Sequence, residues 1–248
     1  MKYIEYGKEN KEVIILLHGG GLSWWNYKEV AEKLSINYHI VLPILDGHAG
    51  SDADFISIED NARKIINLID ENFGGKVLLI GGLSLGGQIL IEILSQRGEI
   101  CEHALIESAL VIPSKLTYLM IKPAFGSCYG LIKNKWFSQL QFKSLRIKEE
   151  LFDDYYRDTC YISKKNMIAF LEANSIYSLK DTIKDSKAKV YIFHGDKEIK
   201  LIKKSSKLIN ENISGSTLKV LPKLYHGEFS INCPNKYVDT ILEIINEK

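Results

Sequence analysis

Four short apolar runs, separated by helical patterns, constrain the fold of this chain more than any other feature. Val13-Ile14-Ile15-Leu16-Leu17, His39-Ile40-Val41-Leu42-Pro43, Val77-Leu78-Leu79-Ile80 and Ala104-Leu105-Ile106 are apolar at consecutive positions. A strand with one wet face would alternate, so these runs predict strands buried on both faces, as in a parallel sheet. Between them, Ile58 to Phe73 sets Ala62, Ile65, Ile66 and Ile69 on one helical face. Ser84 to Arg97 does the same with Ile89, Leu90, Ile93 and Leu94. Strand and helix in alternation predict an α/β fold, a mostly parallel sheet with helices on both faces.

The alternation stops at Pro113 and resumes after Ser186. The intervening segment has no strong strand run, and its helical stretches are Leu116 to Ile121, Ile147 to Asp158 and Lys164 to Ala173. Afterwards Val190 to Phe193 and Thr217 to Leu221 read as strands, and Ile202 to Asn212 and Tyr237 to Ile245 as helices. The expected organisation is a core of residues 1–112 and 187–248 interrupted by a helical insertion, 113–186. That insertion is too long for an ordinary loop.

Charge and cysteine use exclude several classes. The 32 basic and 31 acidic residues nearly cancel, whereas nucleic-acid binding calls for a basic surface. Four scattered cysteines show neither disulfide-framework nor zinc spacing. The longest apolar run, Leu116 to Ile132, is broken by Lys122, Pro123 and two glycines, so it cannot span a bilayer. The first residues carry no apolar signal segment. The expectation is a cytoplasmic monomer or homodimer whose partner is a small molecule, not a nucleic acid or a membrane.

Gly82-Leu83-Ser84-Leu85-Gly86 follows an apolar run and opens a helical one. A serine at such a sharp turn stands clear of the backbone, and its oxygen lies beside the unpaired N–H groups of a helix start. A nucleophilic serine needs a base, an acid that orients the base, and donors for the oxyanion. His18-Gly19-Gly20-Gly21 ends the first apolar run, so the Gly20 N–H is the candidate donor beside that of Leu85, with Gly21 as the alternative. Among six histidines, His226 is the only one beyond His194 and suits the chain order nucleophile, acid, histidine. For the acid, Asp196 and Glu198 both follow the strand Val190 to Phe193, and Glu107 ends a neighbouring one. No phosphate-loop or dinucleotide fingerprint is present, and neither cofactor nor metal is expected.

Taken in order, these pieces resemble the α/β-hydrolase superfamily over essentially the whole chain. Pro43-Ile44-Leu45-Asp46-Gly47-His48-Ala49-Gly50-Ser51 is similar to a further loop of that superfamily, with Ile44 and Ala49 departing from it. The resemblance implies a Ser84, His226 and carboxylate triad. Its usual aspartate falls, counted from Gly195, on Glu198, with Asp196 and then Glu107 as alternatives. It also implies that 113–186 is a cap. The cap's many aromatics point to an apolar substrate, with Trp24, Phe125 and Tyr129 as pocket residues. The leading expectation is an esterase working through an acyl-enzyme. Carbon–carbon bond hydrolysis or a lyase-like elimination on the same triad, with Arg146 or Arg157 holding a carboxylate, is one alternative. A non-catalytic ligand receptor is another.

Overall fold

The computed structural model describes residues 1–247. Seven strands, β1 (Tyr3–Tyr6), β2 (Val13–Leu17), β3 (His39–Pro43), β4 (Val77–Leu83), β5 (Cys101–Glu107), β6 (Lys189–Gly195) and β7 (Thr217–Leu221), form one sheet. Their order is β1-β3-β2-β4-β5-β6-β7. Only β1 is antiparallel to its neighbour; all other pairs are parallel. Parallel neighbours require crossovers, and these are α1 (Lys28–Leu34), α2 (Ile58–Asn72) and α3 (Leu85–Gln96) in the first half. The β5 to β6 connection holds α4 (Lys115–Cys128), α5 (Lys135–Leu145), α6 (Phe152–Tyr161) and α7 (Lys164–Ile176). After β6 come α8 (Lys200–Asn212), α9 (Glu228–Asn232) and α10 (Pro234–Asn246).

Successive strand residues point to opposite faces, and the core divides accordingly. Ile15, Leu17, Val41, Ile80 and Ile106 pack with Ile65 and Ile69 of α2, Ile89 and Ile93 of α3 and Ile209 of α8. Ile14, Leu16, Ile40, Leu79 and Leu105 pack on the other side with Val30 and Leu34 of α1 and Ile241 and Ile244 of α10. This double burial is why the strand sequences are continuously apolar.

The helical segment between β5 and β6 is tied to the helices and loops flanking the sheet by polar contacts. Trp25 Nε1 donates to Asp158 on α6 (2.8 Å). Gln88 Nε2 on α3 donates to the Asn174 carbonyl of α7 (2.9 Å), and the Phe55 N–H donates to Asn166 on α7 (3.1 Å).

The structure differs from the sequence expectation in four helical or strand elements. β1 is a half-buried edge strand containing Glu5, so it lacks the apolar signature of the inner strands. α1 has only seven residues, too few to display a period. α5 carries apolar residues on its solvent side as well as its packed side, which hides its amphipathic pattern. The helix expected from Ile147 is also later: a 3₁₀ turn at Glu149–Leu151 precedes α6.

The turn between β4 and α3 depends on bare backbone. A Cβ on Gly86 would overlap the Leu17 carbonyl, and one on Gly82 would overlap the backbone of Gly86. Gly126, inside α4, has open space around its missing Cβ. Urea unfolding of Gly86→Ala is expected to show a loss of roughly 3 kcal/mol, an overpacking cost against unyielding backbone. Gly126→Ala should be neutral or stabilise by about 0.5–1 kcal/mol, the helix-propensity gain.

Candidate active site

Ser84 lies between β4 and α3 with φ 52° and ψ −109°. Such a backbone costs a non-glycine residue about 1–3 kcal/mol and persists only when its surroundings hold it. Here the Ser84 N–H donates to the Glu107 carbonyl (2.8 Å), and its own carbonyl accepts from the Gln88 N–H (2.9 Å). The conformation turns the side chain away from the helix, and Oγ lies 3.0 Å from Nε2 of His226.

His226 sits on the loop after β7, followed by Gly227 in a left-handed conformation (φ 74°). Its Nδ1 lies 2.8 Å from Glu198 Oε2, so Nδ1–H donates to the carboxylate and Nε2 faces Ser84 as acceptor. Glu198 is buried in the turn after β6. Its other oxygen accepts from the Ser108 hydroxyl (2.6 Å) and the Gly195 N–H (3.0 Å). Burial acts to raise the Glu198 carboxyl, but His226, Ser108 and the Gly195 N–H together outweigh it. The net shift is downward, favouring the carboxylate.

The Gly20 and Leu85 N–H groups make no hydrogen bond among the described residues. The two residues adjoin: a Cβ on Gly20 would lie 3.5 Å from the Leu85 side chain, and Gly20 shares a small cavity with Ser84. Gly21 is different, because its N–H donates to Nε2 of His48 (3.1 Å) and is already committed. His48 Nδ1–H donates in turn to the Asp46 carbonyl (3.1 Å). His18 behaves alike, with Nδ1–H on the Gly19 carbonyl and Nε2 accepting from the Leu45 N–H. Burial drives both histidines down, His18 to about 3 and His48 to about 4. They are neutral struts that fix the glycine loop against the loop after β3.

Residues 8–230 match the sequence model of the family described as serine aminopeptidase, S33. The chain belongs to this family of α/β hydrolases. A hydrolytic role follows from that membership, and no particular substrate does. No curated protein matches the sequence. Solved structures similar to this α/β hydrolase include an α/β hydrolase family protein from Desulfitobacterium hafniense, 22% identical, with TM-score 0.80 over 99% of this chain and 100% of that one. A bromoperoxidase from Bacillus anthracis is 15% identical, with TM-score 0.84 over 99% and 95%. A thermophilic esterase from Thermogutta terrifontis is 14% identical, with TM-score 0.79 over 98% and 91%. At these identities the likeness is one of fold.

In this hydrolase a cavity of about 430 Å³ opens beside Ser84 and His226. Leu110, Ile199, Leu201 and Ile202 form apolar wall from the core, and Thr117 and Leu145 from the insertion. A smaller one of about 80 Å³ lies on the Gly20 side, against Leu22, Ile147 and Ile231. The walls of neither include Trp24, Phe125 or Tyr129. Phe125 and Tyr129 pack against the core, and the Tyr129 hydroxyl donates to the Ile162 carbonyl. Trp24 packs on the opposite face of the sheet. Arg157 is bound to Asp154 and Asp158, whereas Arg146 reaches the larger cavity with its guanidinium 3.8 Å from the Tyr225 ring centre.

The other two carboxylates are occupied elsewhere. Asp196 accepts from the Lys223 N–H (2.7 Å), stapling the turn after β7. Glu107 is buried and accepts from the Ser230 N–H of α9 (3.3 Å), while its second oxygen has no partner among the described residues. Sequence reasoning missed Ser108, which holds Glu198 from a left-handed backbone (φ 56°) at the end of β5. Nothing in its local sequence marks it.

Burial pushes the Glu107 carboxyl up to about 7, with hydrogen bonding from Ser230 opposing and the charge of Glu198 adding to it. The unfolded chain ionises this group near its ordinary value of 4.5. Its contribution to stability is therefore lost as pH rises from about 4.5 to 7 and is constant above that. Urea unfolding of Glu107→Gln across this range should show the variant gaining on the native protein by on the order of 3 kcal/mol. A flat difference across the range would mean that Glu107 is ionised in the folded protein.

Proposed function

We propose that this chain is a serine hydrolase of esters or related acyl compounds with small, fairly apolar substrates. The observation that carries the reading is the hydrogen-bonded series Ser84 Oγ, His226, Glu198 beside two free backbone donors. Each group has the partner its role requires. Ser84 Oγ attacks the substrate carbonyl carbon while His226 Nε2 takes the hydroxyl proton. Glu198 keeps the imidazole in the Nδ1–H tautomer and stabilises the imidazolium that forms. The developing oxyanion lies between the Gly20 and Leu85 N–H groups, at the positive end of α3.

His226 then returns the proton to the leaving group, and the carbon–oxygen bond to that group breaks, leaving an acyl ester on Ser84. Water, activated by the same imidazole, attacks this ester and releases the acid. The two unequal cavities on either side of Ser84 suit an acyl part of moderate size and a small leaving group, or the reverse. The apolar walls favour uncharged chains over polar ones. Residues 113–186 act as a cap, since Thr117 and Leu145 help enclose the larger cavity.

Treatment with a fluorophosphonate probe, followed by peptide mass spectrometry, should find the adduct on Ser84. An unlabelled Ser84 in folded protein would defeat the acyl-transfer reading. Against esters of graded chain length, Ser84→Ala and His226→Ala should each lower kcat/KM by roughly 10³-fold or more. Glu198→Gln should cost a comparable factor while Asp196→Asn stays within about tenfold. The reverse ranking of those two variants would move the acid to Asp196.

A further inference from the structure

Between Lys115 and Lys148 the chain has seven lysine and arginine residues and no aspartate or glutamate, although 31 acidic residues occur in the 248. This stretch contains α4 and α5, and both helices turn apolar side chains to solvent. On α4, Leu116, Leu119 and Met120 are 74%, 66% and 56% exposed. Their i, i+3, i+4 spacing puts them in one stripe. The opposite side of α4 is already committed, with Ile121 buried and Phe125 packed on the core. On α5, Trp136 is 69% exposed and Leu140, one turn on, is also exposed. A helix apolar on both sides at the surface of a folded protein is placed to bind something.

Charge decides what covers this surface. Lys122, Lys135 and Lys148 have carboxylate partners in neighbouring segments. Lys115, Lys133, Lys143 and Arg146 have none among the described residues. A second copy of the chain would oppose like charge with like, which disfavours a twofold contact here. A bilayer with anionic headgroups complements both properties at once, taking the leucine, methionine and tryptophan side chains below the headgroups and the lysines among them. The apolar run from Leu116 to Ile132, interrupted by Lys122 and Pro123, cannot cross a membrane, and no helix among the described residues is long and apolar enough to do so. Interruption by charge on one side is what a helix lying along the surface requires.

We propose that α4 and α5 form a docking surface for a lipid bilayer bearing anionic headgroups. Both helices also wall the Ser84 cavity, through Thr117 and Leu145, so docking brings the rim of that cavity to the lipid.

Flotation of the full chain with vesicles tests this. Vesicles of phosphatidylcholine with about one third phosphatidylglycerol should bind at least ~10-fold more tightly than phosphatidylcholine alone. Raising the salt from about 0.05 M to 0.5 M should release the protein, because screening weakens the lysine contribution. A Leu119→Ser, Met120→Ser double variant should bind at least ~10-fold more weakly while keeping its thermal melt and its hydrolysis of a short soluble ester. Tryptophan emission should shift to the blue on adding mixed vesicles, and Trp136→Phe should abolish the shift. Ser84→Ala should dock like the native protein, so docking stands or falls separately from catalysis. Absence of flotation at low salt, or equal binding by the double variant, would overturn the proposal. A concentration-dependent dimer dissolved by the double variant would overturn it in favour of a copy-to-copy interface.

Discussion

The close approach of α3 to the ends of β2 and β4 is the constraint on which the rest of the site depends. Gly82 and Gly86 let the helix begin against the Leu17 carbonyl, where a Cβ has no room. The chain must then reverse within one residue, and Ser84 takes the left-handed conformation that this reversal demands. Because the inner strands are parallel, their carboxyl ends share one edge of the sheet. The turns after β2, β4, β5, β6 and β7 therefore bring Gly20, Ser84, Ser108, Glu198 and His226 together across most of the chain's length. The hydrogen bond from the Ser84 N–H to the Glu107 carbonyl and the one its carbonyl accepts from the Gln88 N–H offset the backbone strain, so the side chain is held in place.

What could be read from the sequence follows from the same physics. Strands buried on both faces leave an unambiguous apolar run, and β2, β3, β4 and β6 were all visible that way. The turn at Ser84 was visible because glycine, serine and glycine sat between an apolar run and a helical period. β1 and α5 were not, since an edge strand with one glutamate and a helix with outward leucines break the rule that apolar means interior. The pocket failed for a related reason. Aromatic content locates packing volume, and Phe125, Tyr129 and Trp24 went to packing. The apolar part of the wall beside Ser84 comes from aliphatic side chains on the ends of helices and loops, positions that no local period betrays.

Three of the histidines show how little residue type alone conveys. His18, His48 and His226 all sit in loops at the same sheet edge, each beside a glycine. Two are fully enclosed, with both ring nitrogens engaged by backbone groups, and burial keeps them neutral far below the usual range. Their value is geometric: they lock Gly21 and so leave the neighbouring Gly20 N–H free to point at a ligand. The third has backbone partners on neither nitrogen and instead joins a carboxylate to a hydroxyl. The difference lies in what surrounds the ring, which is a property of the fold.

The two buried glutamates make the same point more sharply. Glu107 ends β5, Glu198 lies in the turn after the adjacent β6, and both are buried. Burial alone would drive both carboxyls toward the neutral form. Glu198 meets three donors, the Nδ1–H of His226, the Ser108 hydroxyl and the Gly195 N–H, and its acid is pulled below the ordinary range. Glu107 meets one weaker donor, and its acid is pushed up to about 7. Below about pH 7 the two opposed shifts put a fixed negative charge and a neutral acid side by side. A charged Glu107 would compete with Glu198 for the positive charge that develops on His226 during the proposed reaction. Below about pH 7 a protonated Glu107 leaves that charge to a single partner, aligned with the imidazole and with Ser84 beyond it.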